Sequence, residues 1–270
     1  MIQISILGCG WLGLPLAKRL IEKGHSVNGS TTSENKLSVF EDAGINPFLV
    51  TLESESISEN INSFLTESEI LIIDIPPKLR ANTDFSQKIF VDKIQNLIPL
   101  IEKSTVKKVL FVSSTSVYGD KNDFITEETI PNPETESGKQ LLLTEEILQK
   151  NQNFGTTILR FGGLIGEDRH PVKFLAGKEN LENPHATVNL IHQVDCINII
   201  EAIIHQSKWN EVFNAVAPFH PTREEYYTQK ARERNLLLPK FITEKSDLKK
   251  IISSQKIESI LKYQFKLEEY

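Results

Sequence analysis

The chain has 270 residues, enough for one large α/β unit with a smaller lobe, and its 39% hydrophobic and 24% charged content is that of an ordinary globular protein. A net charge of −6 argues against a nucleic-acid partner, which needs a basic face, and the two cysteines, Cys9 and Cys196, lie too far apart in sequence to suggest a disulfide framework or metal cluster. The apolar N-terminus lacks a basic leader and is broken by glycines, and no run reaches the roughly 18 apolar residues of a membrane span, so a soluble protein of the reducing cytoplasm is expected.

In chain order, IQISILG reads as a first strand and WLGLPLAKRLIEKG as a helix. In that helix Leu12, Leu16 and Leu20 share one face, while Lys18, Arg19, Glu22 and Lys23 point outward. Pro15 is tolerated in the first turn and Gly24 is a natural stop. HSVNGS is a second strand, SENKLSVFEDAG a helix and INPFLV a third strand. SISENINSFL is helical, EILIIDI is the fourth strand, and a long helix covers roughly residues 83–102 before VKKVLFVSS, the fifth strand. A helix over about 137–150 leads to GTTILRFGGLIG, a sixth strand and its exit loop. Such alternation specifies a parallel sheet covered on both faces. Beyond Gly166 the pattern loosens into a loop-rich stretch, then a strand (ATVNLIH), a helix (QVDCINIIEAIIHQ), a strand (EVFNAV) and a helix (PTREEYYTQKARERN). The expected division is a sheet domain over 1–166 and a smaller lobe over 167–270, with some later segments returning to the sheet.

GCGWLG sets Gly8, Gly10 and Gly13 in a GxGxxG pattern directly between the first strand and the first helix, the context that gives this otherwise weak motif its meaning. Gly8 permits the tight turn, Gly10 lets a pyrophosphate reach the backbone, and Gly13 lets the helix pack on the strand. The backbone at Trp11 and Leu12 then offers the free N–H groups of the helix start. An NAD site presents an acid at the end of the second strand to bind the ribose 2′-hydroxyl. This chain has Ser30, Thr31 and Thr32 there, with Lys36 nearby and no acid before Glu34, which favours the 2′-phosphate of NADP while leaving NAD open. Ser33 has a second reading as the cap of the following helix.

SSTSVYGD (113–120), taken together with GCGWLG, LRFGGLIG and VNLIHQVD, resembles the extended short-chain dehydrogenase/reductase family, which includes NAD(P)-dependent sugar-nucleotide epimerases, dehydratases and reductases. VFNAV and KIISSQKIESIL resemble its late strand and last helix. The resemblance implies a Rossmann-type doubly wound sheet with a small C-terminal substrate lobe, here trimmed. It also implies a serine, a tyrosine and a lysine, the tyrosine moving the proton at the substrate oxygen. Ser114 matches the serine, with Ser113 beside the cofactor and Tyr118 toward the substrate. The tyrosine is missing. In ETESGK (134–139), a spacing that ends at Lys139 puts Thr135 in the tyrosine slot; the alternative register puts Ser137 there and Leu141 in place of lysine. An aliphatic hydroxyl is no substitute for a phenol as an acid near neutral pH. Lys139 is left as a ribose- or substrate-binding candidate.

By the same resemblance Pro76 and Pro77 wall the cofactor's ribose and pyrophosphate, Phe161 and Gly162 contact the nicotinamide carboxamide, and Arg169 and His170 bind a substrate phosphate. Asp195 is expected to cap the helix that begins there, and His192 to hold its loop. The function implied is an NAD(P)-dependent oxidoreductase or epimerase/dehydratase-like enzyme acting on a small polar or sugar-derived substrate, as monomer or homodimer. The alternative is a non-catalytic NADP-binding redox sensor.

Overall fold

A computed structural model describes residues 1–77, 89–120, 124–242 and 249–266. The sheet grows from short, densely apolar segments. β1 (Gln3–Leu7), β2 (Ser26–Thr31), β3 (Asn46–Leu49), β4 (Ile70–Ile73), β5 (Lys108–Ser114), β7 (Gly155–Phe161) and β10 (Val212–Ala215) form one seven-stranded sheet. Every pairing in it is parallel, in the order β10-β7-β5-β4-β1-β2-β3. The order reverses at β1, which lies between β2 and β4, so the crevice at the carboxyl ends of these strands is where an open α/β sheet takes its ligand.

β4 shows why the sheet is doubly covered. All four of its residues are buried, and their side chains alternate between faces. Ile70 and Ile72 join a core with Leu12, Leu16 and Leu20 at and along α1 (Gly13–Glu22), whose N-cap is Leu12, and with Ile199 and Ile203 of α7 (Gln193–His205). Leu71 and Ile73 join the opposite core with Phe64 of α3 (Ile61–Leu65), Ile94 of α4 (Ile89–Lys103) and Leu148 of α5 (Glu136–Lys150). Burying each such side chain is worth about 1.5–3 kcal/mol. The first five residues of the long helix expected from 83 lie outside the described residues, as does residue 88.

The segment expected as a helix over SENKLSVFEDAG splits into a 3-10 turn, Glu34–Lys36, and a short α2 (Leu37–Asp42). Ser33 makes no side-chain capping bond to that turn, so the capping reading fails. Of SISENINSFL only the last five residues are helical. Two-stranded pairings complete the fold: β6 (Phe124–Ile125) with β11 (Ile251–Ile252), and β8 (Gly163–Ile165) with β9 (Leu190–His192). A third, smaller core under α6 (Val172–Leu175) and α8 (Arg223–Glu233) gathers Ile165, Val172, Tyr226 and Tyr227. α9 (Gln255–Ile260) sends Ile257 into the α1 side of the sheet.

At the start of α7 the cap is His192, whose Nδ1 accepts from the Val194 N–H, and not Asp195. Asp195 sits buried in the first turn. It accepts from the Tyr263 hydroxyl and the Lys266 N–H, fastening the C-terminal segment to the helix.

Candidate active site

The glycine turn is built as its sequence predicts. Gly8 has φ +107°, and a Cβ there would lie 2.4 Å from the Asp74 carbonyl oxygen, so only glycine fits. At Gly13 a Cβ would lie 2.4 Å from the Gly8 carbonyl oxygen. Gly10 differs: nothing lies within 4 Å of where its Cβ would stand, because that side opens on the cleft. Two bonds fix the turn to the end of β2, Gly8 N–H to Ser30 Oγ at 2.9 Å and Cys9 N–H to the Ser30 carbonyl at 2.9 Å. Ser30 is therefore a buried strut of the turn. Thr32 and Lys36 stand exposed at the rim beside half-buried Thr31.

From this turn a cleft of about 780 Å³ runs past Pro76 and Pro77 to Ser113 and Ser114. Trp11 and Leu12 also line it, as do Thr31, Thr32 and Lys36. Trp11 binds the far wall: its indole N–H donates to Asp168 at 2.9 Å, and its carbonyl accepts from the Gln193 side chain at 2.6 Å. The Arg169 guanidinium lies over the indole, 5.0 Å from the ring centroid, and lines this cleft, not the smaller cavity described below. Expected at a substrate phosphate, Arg169 thus turns its charge to the cleft that starts at the glycine turn. His170 turns away and is buried, with Nδ1 accepting from the Val172 N–H and Nε2 against the Tyr226 hydroxyl at 3.0 Å.

Asp74, which follows β4, is the group that sequence reasoning missed. It lines the cleft beneath the turn, and burial raises its carboxyl to about 7 despite the Gly13 N–H that it accepts. Its signal was present: an acid directly after a fully apolar strand, at the carboxyl edge where the strand order reverses. Burial, followed by the Asp74 charge, also pushes the neighbouring Cys9 thiol up to about 12, so it is an inert packing group.

Beyond Ser114 lies a second cavity of about 410 Å³, which includes Gly162, Thr135, Asp120, Glu134 and Lys250 in its wall. Ser114 lines both spaces and is their junction. Its Oγ accepts from the Ser116 N–H at 3.1 Å, which aims the hydroxyl across the strand end. Phe161, expected at the cofactor, is buried in the α1-side core and lines neither space.

α5 decides between the two registers of ETESGK. Thr135 is its N-cap, with Oγ1 accepting from the Gly138 N–H at 3.1 Å. The buried face carries Gly138, Leu141, Glu145 and Leu148, and Leu141 lines the cleft. Lys139 is one residue off that face, exposed, and lines neither space. The helix thus presents Leu141 to the cleft and turns Lys139, the ribose- or substrate-binding candidate, to solvent.

Tyr118, expected toward the substrate, lines the smaller cavity, but its hydroxyl is committed to protein partners, donating to Asn214 Oδ1 at 2.9 Å and accepting from Arg160 Nη1 at 2.6 Å. Burial raises the Tyr118 phenol, with Arg160 opposing. Arg160 pairs with Glu145 at 2.6 Å, both almost fully buried, and Glu145 also accepts from the Ser113 hydroxyl. This network braces β5 from below and leaves no phenol facing Ser114 among the described residues.

With this geometry the comparisons with known proteins agree. Residues 4–180 match the NAD dependent epimerase/dehydratase family, and the chain belongs to that family. Protein YeeZ of Escherichia coli K12 is 34% identical over 243 residues, covering 89% of this chain and 87% of YeeZ. Among solved structures, a UDP-glucuronic acid 4-epimerase from Bacillus cereus, in complex with UDP-glucuronic acid and NAD, superposes with a TM-score of 0.82 at 18% identity, over 98% of this chain and 95% of that one. A functionally unknown conserved protein from Silicibacter pomeroyi superposes with a TM-score of 0.78 at 20% identity, over 100% of this chain and 95% of that one. Both superpositions concern the fold. No helix among the described residues is long and apolar enough to cross a membrane.

Proposed function

We propose that the protein is an NAD(P)-dependent oxidoreductase or epimerase/dehydratase-like enzyme for a small polar or sugar-derived substrate. The observation that carries this reading is the junction at Ser114, where a glycine-turn cleft meets a second, polar cavity. The cleft fits a dinucleotide: Gly10 is open, α1 begins there, and Arg169 and Lys36 add positive charge along the path. Held on Gly8, Gly10 and Gly13, a nicotinamide dinucleotide would supply hydride chemistry for a substrate beside Ser114. The chain's own part is to bind the pyrophosphate on the turn, to orient the substrate oxygen with the Ser114 hydroxyl, and to hold Leu141 against the cleft as a dry wall.

NADP is preferred over NAD in this reading, because Thr31, Thr32 and Lys36 suit a 2′-phosphate, while the Glu53 carboxylate in the same cleft wall is paired with Lys93. Paired calorimetric titrations at matched ionic strength test it; tighter NAD(H) binding would reject the preference. Turnover of a carbonyl and sugar-nucleotide panel tests the enzyme. A second reading, a non-catalytic NADP-binding sensor, is favoured by one observation, the tied hydroxyl of Tyr118. NADP binding without turnover on the whole panel would select it. We place the protein in the cytoplasm, as monomer or homodimer, on its net charge and its two buried free thiols. Light scattering on the purified chain separates the two assemblies.

A further inference from the structure

With the phenol absent and Lys139 turned to solvent, the smaller cavity still needs a group that can give a proton to a substrate oxygen beside Ser114. Its wall supplies one from far along the chain. Lys250 directly precedes β11, and its backbone is pinned on two sides. Its carbonyl accepts from Thr187 Oγ1 at 2.6 Å and from Asn189 Nδ2 at 2.7 Å, while Asn189 Oδ1 accepts from the Ile252 N–H at 3.0 Å. Thr187 and Asn189 line the same cavity. The side chain is only 20% exposed, and its ammonium donates to the Gly119 carbonyl at 3.1 Å and to Asp120 Oδ1 at 2.8 Å.

An ammonium has three N–H donors. Two are spent on the rim, and the third has no partner among the described residues. Ser114 stands in a matching state: its oxygen accepts from Ser116, and its own O–H has no acceptor among them. Lys250 and Ser114 thus each keep an unspent donor on this cavity, and Ser114 stands where it joins the glycine-turn cleft. None of the other titratable side chains in this wall serves. Tyr118 has committed its hydroxyl to Asn214, and the Asp120 and Glu134 side chains already accept, from Lys250 and from the Asp120 N–H respectively. Lys250 is held by backbone carbonyl contacts on an ordered strand pair, which is the kind of fixed placement that proton transfer requires.

We propose that Lys250 is the proton-transferring catalytic residue of this site, paired with Ser114 on the substrate oxygen in the place of the missing phenol. The inference rests on the enzyme reading above. In the reducing direction the Nζ–H bond breaks and an O–H bond forms at the substrate oxygen. The electron pair for the adjacent carbon arrives as the hydride that reduced NAD(P)H supplies, and the neutral amine regains its proton from water. In the oxidising direction the same amine takes the hydroxyl proton.

The test compares wild type, Lys250→Met and Lys250→Arg on a panel of small polar ketones, aldehydes and sugar nucleotides with NADPH and NADH. Both variants should lose about 10²-fold or more in kcat, the contribution typical of a positioned proton donor, while calorimetric NADPH affinity stays within about twofold. Lys250→Arg keeps the charge beside Asp120, so it decides the matter if Lys250→Met fails to fold. Added methylamine should restore part of the Lys250→Met rate, which a purely structural lysine would not allow. A readout independent of turnover is the lysine side-chain nitrogen resonance that disappears in Lys250→Arg; it should shift when dihydroxyacetone is added to wild type. If wild type turns over and both variants keep its rate within about threefold, Lys250 is excluded and the enzyme reading stands. If wild type turns over nothing and the resonance does not move, both fall together.

Discussion

At the scale of single residues, Gly10 and Asp74 carry the most readable tests of the glycine turn. Gly10 has open space where its Cβ would be, so Gly10→Val leaves the fold intact and fills the ligand's path instead. NADP affinity by calorimetry should fall at least about tenfold, or about 1.4 kcal/mol, with an unchanged melting temperature. Unchanged affinity would remove the turn from the binding site. Asp74 gives a pH signature. Burial lifts its carboxyl from 3.8 to about 7, so the folded state holds this proton where the unfolded chain has released it. The stability it contributes is therefore complete below pH 3.8 and is lost as pH rises through about 7. His170 acts oppositely: burial lowers it from 6.5 to about 4, so stability from that ring rises with pH across the same interval. The two slopes overlap in wild type, and Asp74→Asn separates them. At pH 8 this variant should be more stable than wild type by about 1–2 kcal/mol in urea, allowing for partial solvent access, with the advantage vanishing by pH 4. An equal difference at both pH values would mean that the gain comes from something other than titration.

Secondary-structure elements were legible in proportion to how far local pattern determined them. The strands of IQISIL, LIIDI and VLFVSS stand out because both faces of the sheet are covered, which makes each run almost wholly apolar. α5 was legible as a helix but not in orientation, because its acidic and hydroxyl residues give its amphipathic pattern little contrast, and its buried face includes Gln140, Thr144 and Glu145. Those polar positions are satisfied by partners remote in sequence: Gln140 accepts from the Phe90 N–H, and Glu145 pairs with Arg160. No local signal announces such pairs, so the local pattern alone leaves Lys139 and Leu141 as alternatives. Lys250 and Asp120, 130 residues apart, were invisible for the same reason. The buried pair gives a test at this scale. Arg160→Met removes one charge and strands Glu145 between β5 and β7, so it should cost about 3–5 kcal/mol of unfolding free energy. The double variant with Glu145→Leu should recover much of that loss, because it leaves no unpaired ion. A single variant as stable as wild type would show that Glu145 escapes to solvent.

Across the whole molecule, the glycine-turn cleft is closed by joining two distant stretches through one residue. Trp11 belongs to the glycine turn, yet its indole N–H holds Asp168, its carbonyl takes the Gln193 amide, and its ring supports Arg169. Gly166 is packed so tightly against it that a Cβ there would lie 2.8 Å from the indole. A ligand seated on the turn therefore orders the loop after β8 as well, since the two walls share these contacts. At NADP concentrations of about 100 times Kd the whole fold should gain about 2.7 kcal/mol. Amide exchange should slow not only over 8–13 but also over 166–170, where no backbone group of the turn reaches. Trp11→Phe keeps a ring in the gap but loses the bond to Asp168. In that variant, protection at 8–13 should persist on NADP binding, while protection at 166–170 falls by about tenfold, the equivalent of about 1.4 kcal/mol of lost coupling. Equal protection at both stretches in Trp11→Phe would show that the loop follows the ligand directly, through Arg169, and that the indole bond to Asp168 carries none of the coupling.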